Sequence, residues 1–245
     1  MTELLSLPHT PEIWQQTLNW QPNEQQWQQF QHLYDCVLEG NKRFNLTRIT
    51  DPLDFLEKHL WDSLAGLMLT DTLKRDEAYK VMDIGTGAGF PGLPTAIVCP
   101  EWTVTLLDST RKKIDFLVTV LQALALRNGK TLLGRSEVMG RDRRNREKFD
   151  LALIRAVGEA SVCAEYSLPL LKLGGLAILY RGHWTEEDTE KFLPSLAELG
   201  GTLEQIKTIE TPWSQGIRNF IYLRKIQPTP SSYPRATGIP TQKPL

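Results

Sequence analysis

The run VMDIGTGAGFPGLP, Val81 to Pro94, narrows what this chain can fold into more than any other stretch. Four glycines and two prolines follow a short apolar segment interrupted by one acid, Asp83. An apolar run that stops at glycine reads as a strand turning toward a helix. In a doubly wound α/β sheet, ligands bind at such a turn, beyond the carboxyl ends of the strands. Gly85, Gly87 and Gly89 open backbone angles closed to other residues and let a ligand lie against bare main chain.

The rest of the sequence agrees with that architecture. From about residue 76, apolar runs alternate with amphipathic ones: YKVMDIG, WTVTLLDS, KTLLG, FDLALIRA and GLAILYRG read as strands, and TRKKIDFLVTVLQALAL and TEEDTEKFLPSLAELG as helices. EASVCAEYSLPLLKLGG reads as helix and turn, and GTLEQIKTIE and NFIYLRKIQ as a closing strand pair. The expected fold is therefore a mostly parallel, seven-stranded Rossmann-like α/β sheet. Residues 1–75 carry no convincing strand and read as a helical extension. Within it, Gly40 is expected to end the helix built around Trp27, and Asp51 with Pro52 to start the next. Three segments result: helical region 1–75, sheet domain 76–227, and a basic, proline-rich segment 228–245. The last has the composition of a loose end, but no acid follows Glu210 while five Lys and Arg do, and it is expected to pack on or near the catalytic face.

The glycines formally spell GxGxxG at Gly87, Gly89 and Gly92, which keeps a dinucleotide oxidoreductase open. Two features argue against it. Pro91 interrupts the segment that should open smoothly into a helix, and Asp83 places a carboxylate at the loop mouth, where it opposes a pyrophosphate. The acid suits a ligand that is cationic and free of phosphate, as S-adenosylmethionine is. Asp108, 19 residues beyond Gly89 at the end of the second strand, has the place of a ribose-binding carboxylate; its alternative role is a helix cap. Ser109 and Thr110 extend that contact. Ser136 and Glu137 follow the third strand, where a loop borders an adenine ring, although Glu137 also suits a partnership with Arg135. Arg155 breaks the apolar run LALIRAV at its carboxyl end, a ligand position or a structural ion pair.

The formal net charge of -1 does not describe a general nucleic-acid binder. Local charge differs. Arg111, Lys112 and Lys113 open a helix against its dipole, GRDRRNREK adds Arg141, Arg143, Arg144, Arg146 and Lys148, and Arg181 closes a strand. Together they read as a positive rim for phosphates. His59 and Asp62 read as a structural pair between the helical region and the sheet in preference to an acid–base pair. Three scattered cysteines and four scattered histidines offer no metal set and fit a reduced, cytoplasmic setting. No signal peptide or membrane-length apolar run is present, and a monomer is expected.

NKRFNLTRIT, KHLWDSL, the glycine loop, LLDSTRKKIDFL, GRSE, LALIRAV and YPRATGIPTQKPL together resemble the RsmG (GidB) family over nearly the whole chain. These are bacterial methyltransferases of the small-subunit ribosomal RNA. The resemblance implies a class I S-adenosylmethionine-dependent methyltransferase fold and methyl transfer to N7 of a guanine near the decoding centre of 16S rRNA. The substrate would be that rRNA, within a small subunit or an assembly intermediate. Family cofactor contacts carry over to Gly85, Phe90, Asp108, Ser109, Thr110, Ser136, Glu137 and Arg155. Basic residues at the family's RNA-site positions are Arg135, Arg155 and Arg181, the candidate catalytic-site residues; Arg181 stands where lysine is common, which changes its donor geometry. Methyl transfer to another RNA, a small molecule or a protein, and a ribosome-associated module without turnover, are the remaining alternatives.

Overall fold

The computed structural model describes residues 6–245. Its centre is a seven-stranded sheet of order β3-β2-β1-β4-β5-β7-β6. The strands are β1 (Lys80–Ile84), β2 (Thr103–Asp108), β3 (Gly129–Leu133), β4 (Phe149–Arg155), β5 (Leu171–Arg181), β6 (Gly201–Glu210) and β7 (Ile217–Lys225). Strands β1 to β5 pair in parallel, and β7 is antiparallel to both β5 and β6. Strand order reverses between β1 and β4, so a crevice opens beyond their carboxyl ends.

Helices cover both faces. One face carries α5 (Gly92–Val98) and α6 (Arg111–Ala123), the other α8 (Ala160–Ser167) and α9 (Glu186–Glu198). The N-terminal helices α1 (Pro11–Leu18) and α2 (Glu24–Phe44) join the first face: Trp14, Phe30 and Val37 share one core with Leu117, Val104 and Ile178. A reciprocal capping box of Asn23 and Gln26 starts α2. The expected end at Gly40 does not occur; α2 runs on to Phe44 and stops at left-handed Asn45. Gly40 is there for contact, since a Cβ would lie 2.4 Å from the Phe116 ring of α6.

Asp51 caps α3 (Pro52–Phe55) by accepting from the Leu53 and Asp54 N–H groups. A π-helical turn, Leu56–Trp61, then leads into α4 (Asp62–Met68). Two tyrosines of the sheet fasten α4: Tyr180 Oη donates to the Ser63 carbonyl and Tyr222 Oη to that of Gly66, each at 2.9 Å.

Three local expectations need correction. Pro91 does not disturb the start of α5, which opens at Gly92 directly behind the loop. The GRSE segment is not a plain loop, because Ser136–Arg141 forms a short helix, α7. LLKLGG is not turn: β5 begins at Leu171, and a register shift against β4 between Phe149 and Leu151 absorbs the glycines.

The C-terminal segment lies against the domain. Arg146 donates to the carbonyls of Thr229 and Tyr233, each at 2.7 Å, and Arg141 to that of Pro234 at 2.7 Å. Arg235 forks onto the fully buried Glu165, and Tyr233 Oη donates to Glu198. The chain ends with the turn α10 (Ile239–Gln242). Arg141 and Arg146 therefore hold this segment and are not a free phosphate-binding rim. Arg144 is paired with Asp142 at 2.6 Å.

Candidate active site

The glycine loop crosses the carboxyl end of β1 with φ of 67°, 61° and 103° at Gly85, Gly87 and Gly89. Those angles suit glycine, but the space beside each residue differs. A Cβ at Gly89 would lie 2.2 Å from Leu93, and at Gly92 2.3 Å from Leu106. These two are bare because the chain packs on itself. Beside Gly87 the nearest atom is the Gly85 carbonyl oxygen at 3.9 Å, which is open ground for a ligand.

Asp83 lies beneath the loop with no exposed surface. Its Oδ2 accepts from Thr86 Oγ1 and, at 2.8 Å, from the Gly92 N–H, so one carboxylate joins the start of the loop to the start of α5. Its Oδ1 is buried without a protein partner. Burial raises its pKa to about 6, against the lowering effect of those hydrogen bonds and of nearby Arg155. Asp108 closes the other side of the crevice. Its Oδ2 accepts from the Gly87 N–H at 3.1 Å, and its Oδ1 from the Thr110 N–H at 2.8 Å. Asp108 thus caps its own turn and also braces the loop.

A cavity of about 240 Å³ lies between these elements. Of the residues expected around the cofactor or RNA, Gly85, Asp108, Ser109, Thr110, Arg135, Ser136 and Glu137 line it, whereas Asp83, Gly87 and Gly89 do not; Asp83 is not at the loop mouth but fully buried beneath it. Leu107, Lys113, Gly134, Val157, Tyr166 and Thr241 complete its walls; of these, Tyr166 alone lies outside the motifs singled out in the sequence. Glu137 is almost fully buried, and its Oε1 accepts from Tyr166 Oη at 3.2 Å and the Gly238 N–H at 2.9 Å.

Arg155 and Arg181 face a second cavity, of about 500 Å³. Lys58 and Arg218 also line it, and Asp62 is the one acid. Arg155 Nη1 donates to the Lys58 carbonyl at 2.8 Å and to Asp62 Oδ2 at 2.9 Å. Its Nη2 lies 3.3 Å from His59 Nδ1, and the guanidinium carbon sits 5.8 Å from the Phe90 ring centroid. Asp62 Oδ1 accepts from Arg218 Nε at 3.1 Å, so one buried carboxylate orients two arginines. Arg181 Nη1 donates to the Gly158 carbonyl at 2.6 Å. Phe90 does not line the first cavity; its ring stacks on His59 at 4.3 Å and props the imidazole under Arg155. The exit of β4 divides the two cavities, with Arg155 and Ala156 facing one and Val157 the other.

Comparison with known proteins gives this arrangement a family. The family model described as rRNA small subunit methyltransferase G matches residues 26–219. The "Ribosomal RNA small subunit methyltransferase G" of Trichormus variabilis is 56% identical over 247 residues, covering 100% of both chains. That of Trichodesmium erythraeum is 53% identical over 241 residues, covering 98% of this chain and 94% of the other. The chain belongs to the rRNA small subunit methyltransferase G family. Solved structures agree on the fold. An S-adenosylmethionine-dependent methyltransferase from Aquifex aeolicus superposes with a TM-score of 0.55 at 16% identity, over 74% of this chain and 97% of that one. A point mutant of the 16S rRNA (adenine(1408)-N(1))-methyltransferase from Catenulisporales acidiphilia gives 0.53 at 15% identity, over 62% and 87%.

The segments NKRFNLT and HLWDS, which carry the resemblance, have a structural role around Arg155. In NKRFNLT, the Asn41 side chain bonds both backbone groups of Thr47, at 2.9 and 3.0 Å. Thr47 Oγ1 lies 2.9 Å from His59 Nε2, and His59 supports Arg155. In HLWDS, Asp62 holds Arg155 from the other side. These residues are the mount of the arginine. Asp62 and Arg218 are 156 positions apart, so the sequence alone did not join them. Among the described residues, no cluster of His, Cys, Asp or Glu is placed to hold a metal, and no helix is long and apolar enough to cross a membrane.

Proposed function

We propose that this protein transfers a methyl group from S-adenosylmethionine to N7 of a guanine in the decoding-region loop of 16S rRNA, within a small subunit or its assembly intermediate. One observation carries the reading: a carboxylate-bearing cavity and an arginine-lined cavity meet across the exit of β4.

The first cavity suits the donor. Asp108 and the open ground at Gly87 provide for a ribose and its neighbouring chain, and the orphaned Asp83 Oδ1 leaves acceptor capacity beneath the loop. S-adenosylmethionine supplies a methyl group already activated on a sulfonium. Guanine N7 carries a lone pair and no proton, so no general base is required of the chain. The protein's task is to align the reacting atoms and hold them there. Arg155 is fixed from three sides and meets the edge of an unstacked guanine through O6, the usual arginine contact. Arg181, Arg218 and Lys58 take the flanking phosphates. His59 acts through Arg155 and exchanges no proton with substrate.

Removing the gene should abolish N7-methylguanosine at its site in 16S rRNA, and purified protein with S-adenosylmethionine should restore it. An unchanged modification map in the deleted strain overturns the proposal. Arg155→Ala should lower the methylation rate by about 100-fold or more while the chain stays folded; wild-type turnover would remove Arg155 from the site.

A further inference from the structure

Thr241 lies only four residues from the end of the chain, yet it lines the donor cavity beside Asp108 and Glu137. We propose that the C-terminal turn, residues 236–245, is the outer wall of the donor-binding site, and that donor binding and docking of this turn are coupled. The proposal rests on the reading of that cavity as the donor's.

Glu137 provides the linkage. Its side chain forms part of the cavity wall and is 2% exposed. A carboxylate buried to that degree needs donors. One comes from the domain, Tyr166 Oη at 3.2 Å, and one from the terminal segment, the Gly238 N–H at 2.9 Å. Tyr166 also lines the cavity. Lifting the turn therefore leaves a wall residue short of a partner and disturbs the surface that meets the ligand. Gly238 delivers its N–H from a φ of 85°, which an L side chain rarely adopts, and Thr241 Oγ1 donates back to the Gly238 carbonyl at 3.0 Å. The turn thus has a defined shape as well as a defined place. Immediately upstream, Arg235 is anchored on Glu165 and Arg141 on the Pro234 carbonyl, so the turn starts from a fixed point. A ligand that touches Thr241 adds contacts only in the docked state and shifts the equilibrium toward it.

The coupling is tested in the full-length chain by calorimetry with S-adenosylhomocysteine. Gly238→Pro removes the N–H and forbids the φ, and Thr241→Trp crowds the cavity from an exposed position without touching the anchors. Each should weaken binding by about tenfold or more; Gly238→Pro should also lower the thermal midpoint of the ligand-free protein, because it strips the buried Glu137 of a donor, whereas Thr241→Trp should leave that midpoint nearly unchanged. Saturating ligand should slow amide exchange across residues 236–245 in the wild type. Asp108→Asn serves as the reference for the cavity itself and should weaken binding as well. Wild-type affinity in both terminal variants, with Asp108→Asn weakened, overturns the coupling and leaves the cavity reading intact. Wild-type affinity in all three overturns both. A lowered thermal midpoint with unchanged affinity makes the turn a purely structural clamp and likewise defeats the proposal.

Discussion

His59 shows how closely a single residue is specified. A guanidinium only donates, so His59 Nδ1 must accept from Arg155, and the ring proton resides on Nε2, facing Thr47 Oγ1. Burial, then the Arg155 charge, hold the ring pKa down at about 3. An unfolded histidine titrates near 6.5. Between these values the unfolded chain binds a proton that the folded chain refuses. The stability contributed by the neutral ring is therefore complete above about pH 6.5 and is lost as pH falls toward 3. Asp83 has the opposite sign. Burial lifts its folded pKa to about 6, so its destabilising effect is absent well below its ordinary value of 3.8 and complete above about 6. Relative to His59→Gln, the wild type should gain up to about 1.4 kcal/mol per pH unit between about pH 4 and 6. Relative to Asp83→Asn it should lose stability over the same interval. Urea midpoints measured across that range check both, and parallel curves for wild type and either variant contradict these protonation states.

At the scale of the element, the π-helical turn Leu56–Trp61 is what joins the helical region to the arginine-lined cavity. The turn and the first residue of α4 present three buried polar groups to the sheet and to the β6–β7 connection. Glu57 accepts the Trp213 and Ser214 N–H groups at 2.8 Å, His59 meets Arg155, and Asp62 meets Arg155 and Arg218. Such turns are often found at functional sites. Thr47→Val keeps the volume but removes the oxygen that fixes His59. It should lower methylation about tenfold while costing about 1–2 kcal/mol of stability; a stability loss without a rate effect would reduce the mount to scaffolding. The strands and the glycine crevice were legible because their apolar runs and turn residues are local signals. The π turn was not, since its six residues are too short a stretch for a wider repeat to stand out from α-helical spacing. The start of β5 at Leu171 was hidden by its glycines, which belong to an irregular pairing with β4. Gly40 misled for a related reason: a glycine that admits a neighbouring ring looks the same in sequence as one that ends a helix. Asp108, Ser136 and Arg155 were readable as cavity-lining candidates near strand ends, whereas Arg218 joins the arginine cavity only because β7 lies beside β5.

Across the whole molecule, charge is distributed in a way the total conceals. A net charge of -1 gives little long-range attraction for RNA, and much of the basic run at 141–148 is committed to carbonyls of the terminal segment or to Asp142. What is concentrated around one cavity is Lys58, Arg155, Arg181 and Arg218, with Lys58 paired to Asp54 at 2.7 Å and Arg155 and Arg218 sharing Asp62, so four cations there face two acids. Binding by such a protein should depend on salt less steeply than binding by a broadly basic surface. Each phosphate neutralised on a single strand contributes a slope of roughly -0.7 in log affinity against log salt. If three of these cations meet phosphates while Arg155 meets the base, the slope should be about -2. Arg218→Gln should make it shallower by roughly 0.7 and weaken binding, because one phosphate contact is lost. Arg146→Gln should leave the slope unchanged and lower the thermal midpoint, because it releases the carbonyls of Thr229 and Tyr233. Filter binding of a 16S loop fragment between 50 and 200 mM salt, about the range over which counterion release is read, separates the two. A slope several times steeper, or one that Arg146→Gln flattens, would return the wider basic surface to the RNA interface.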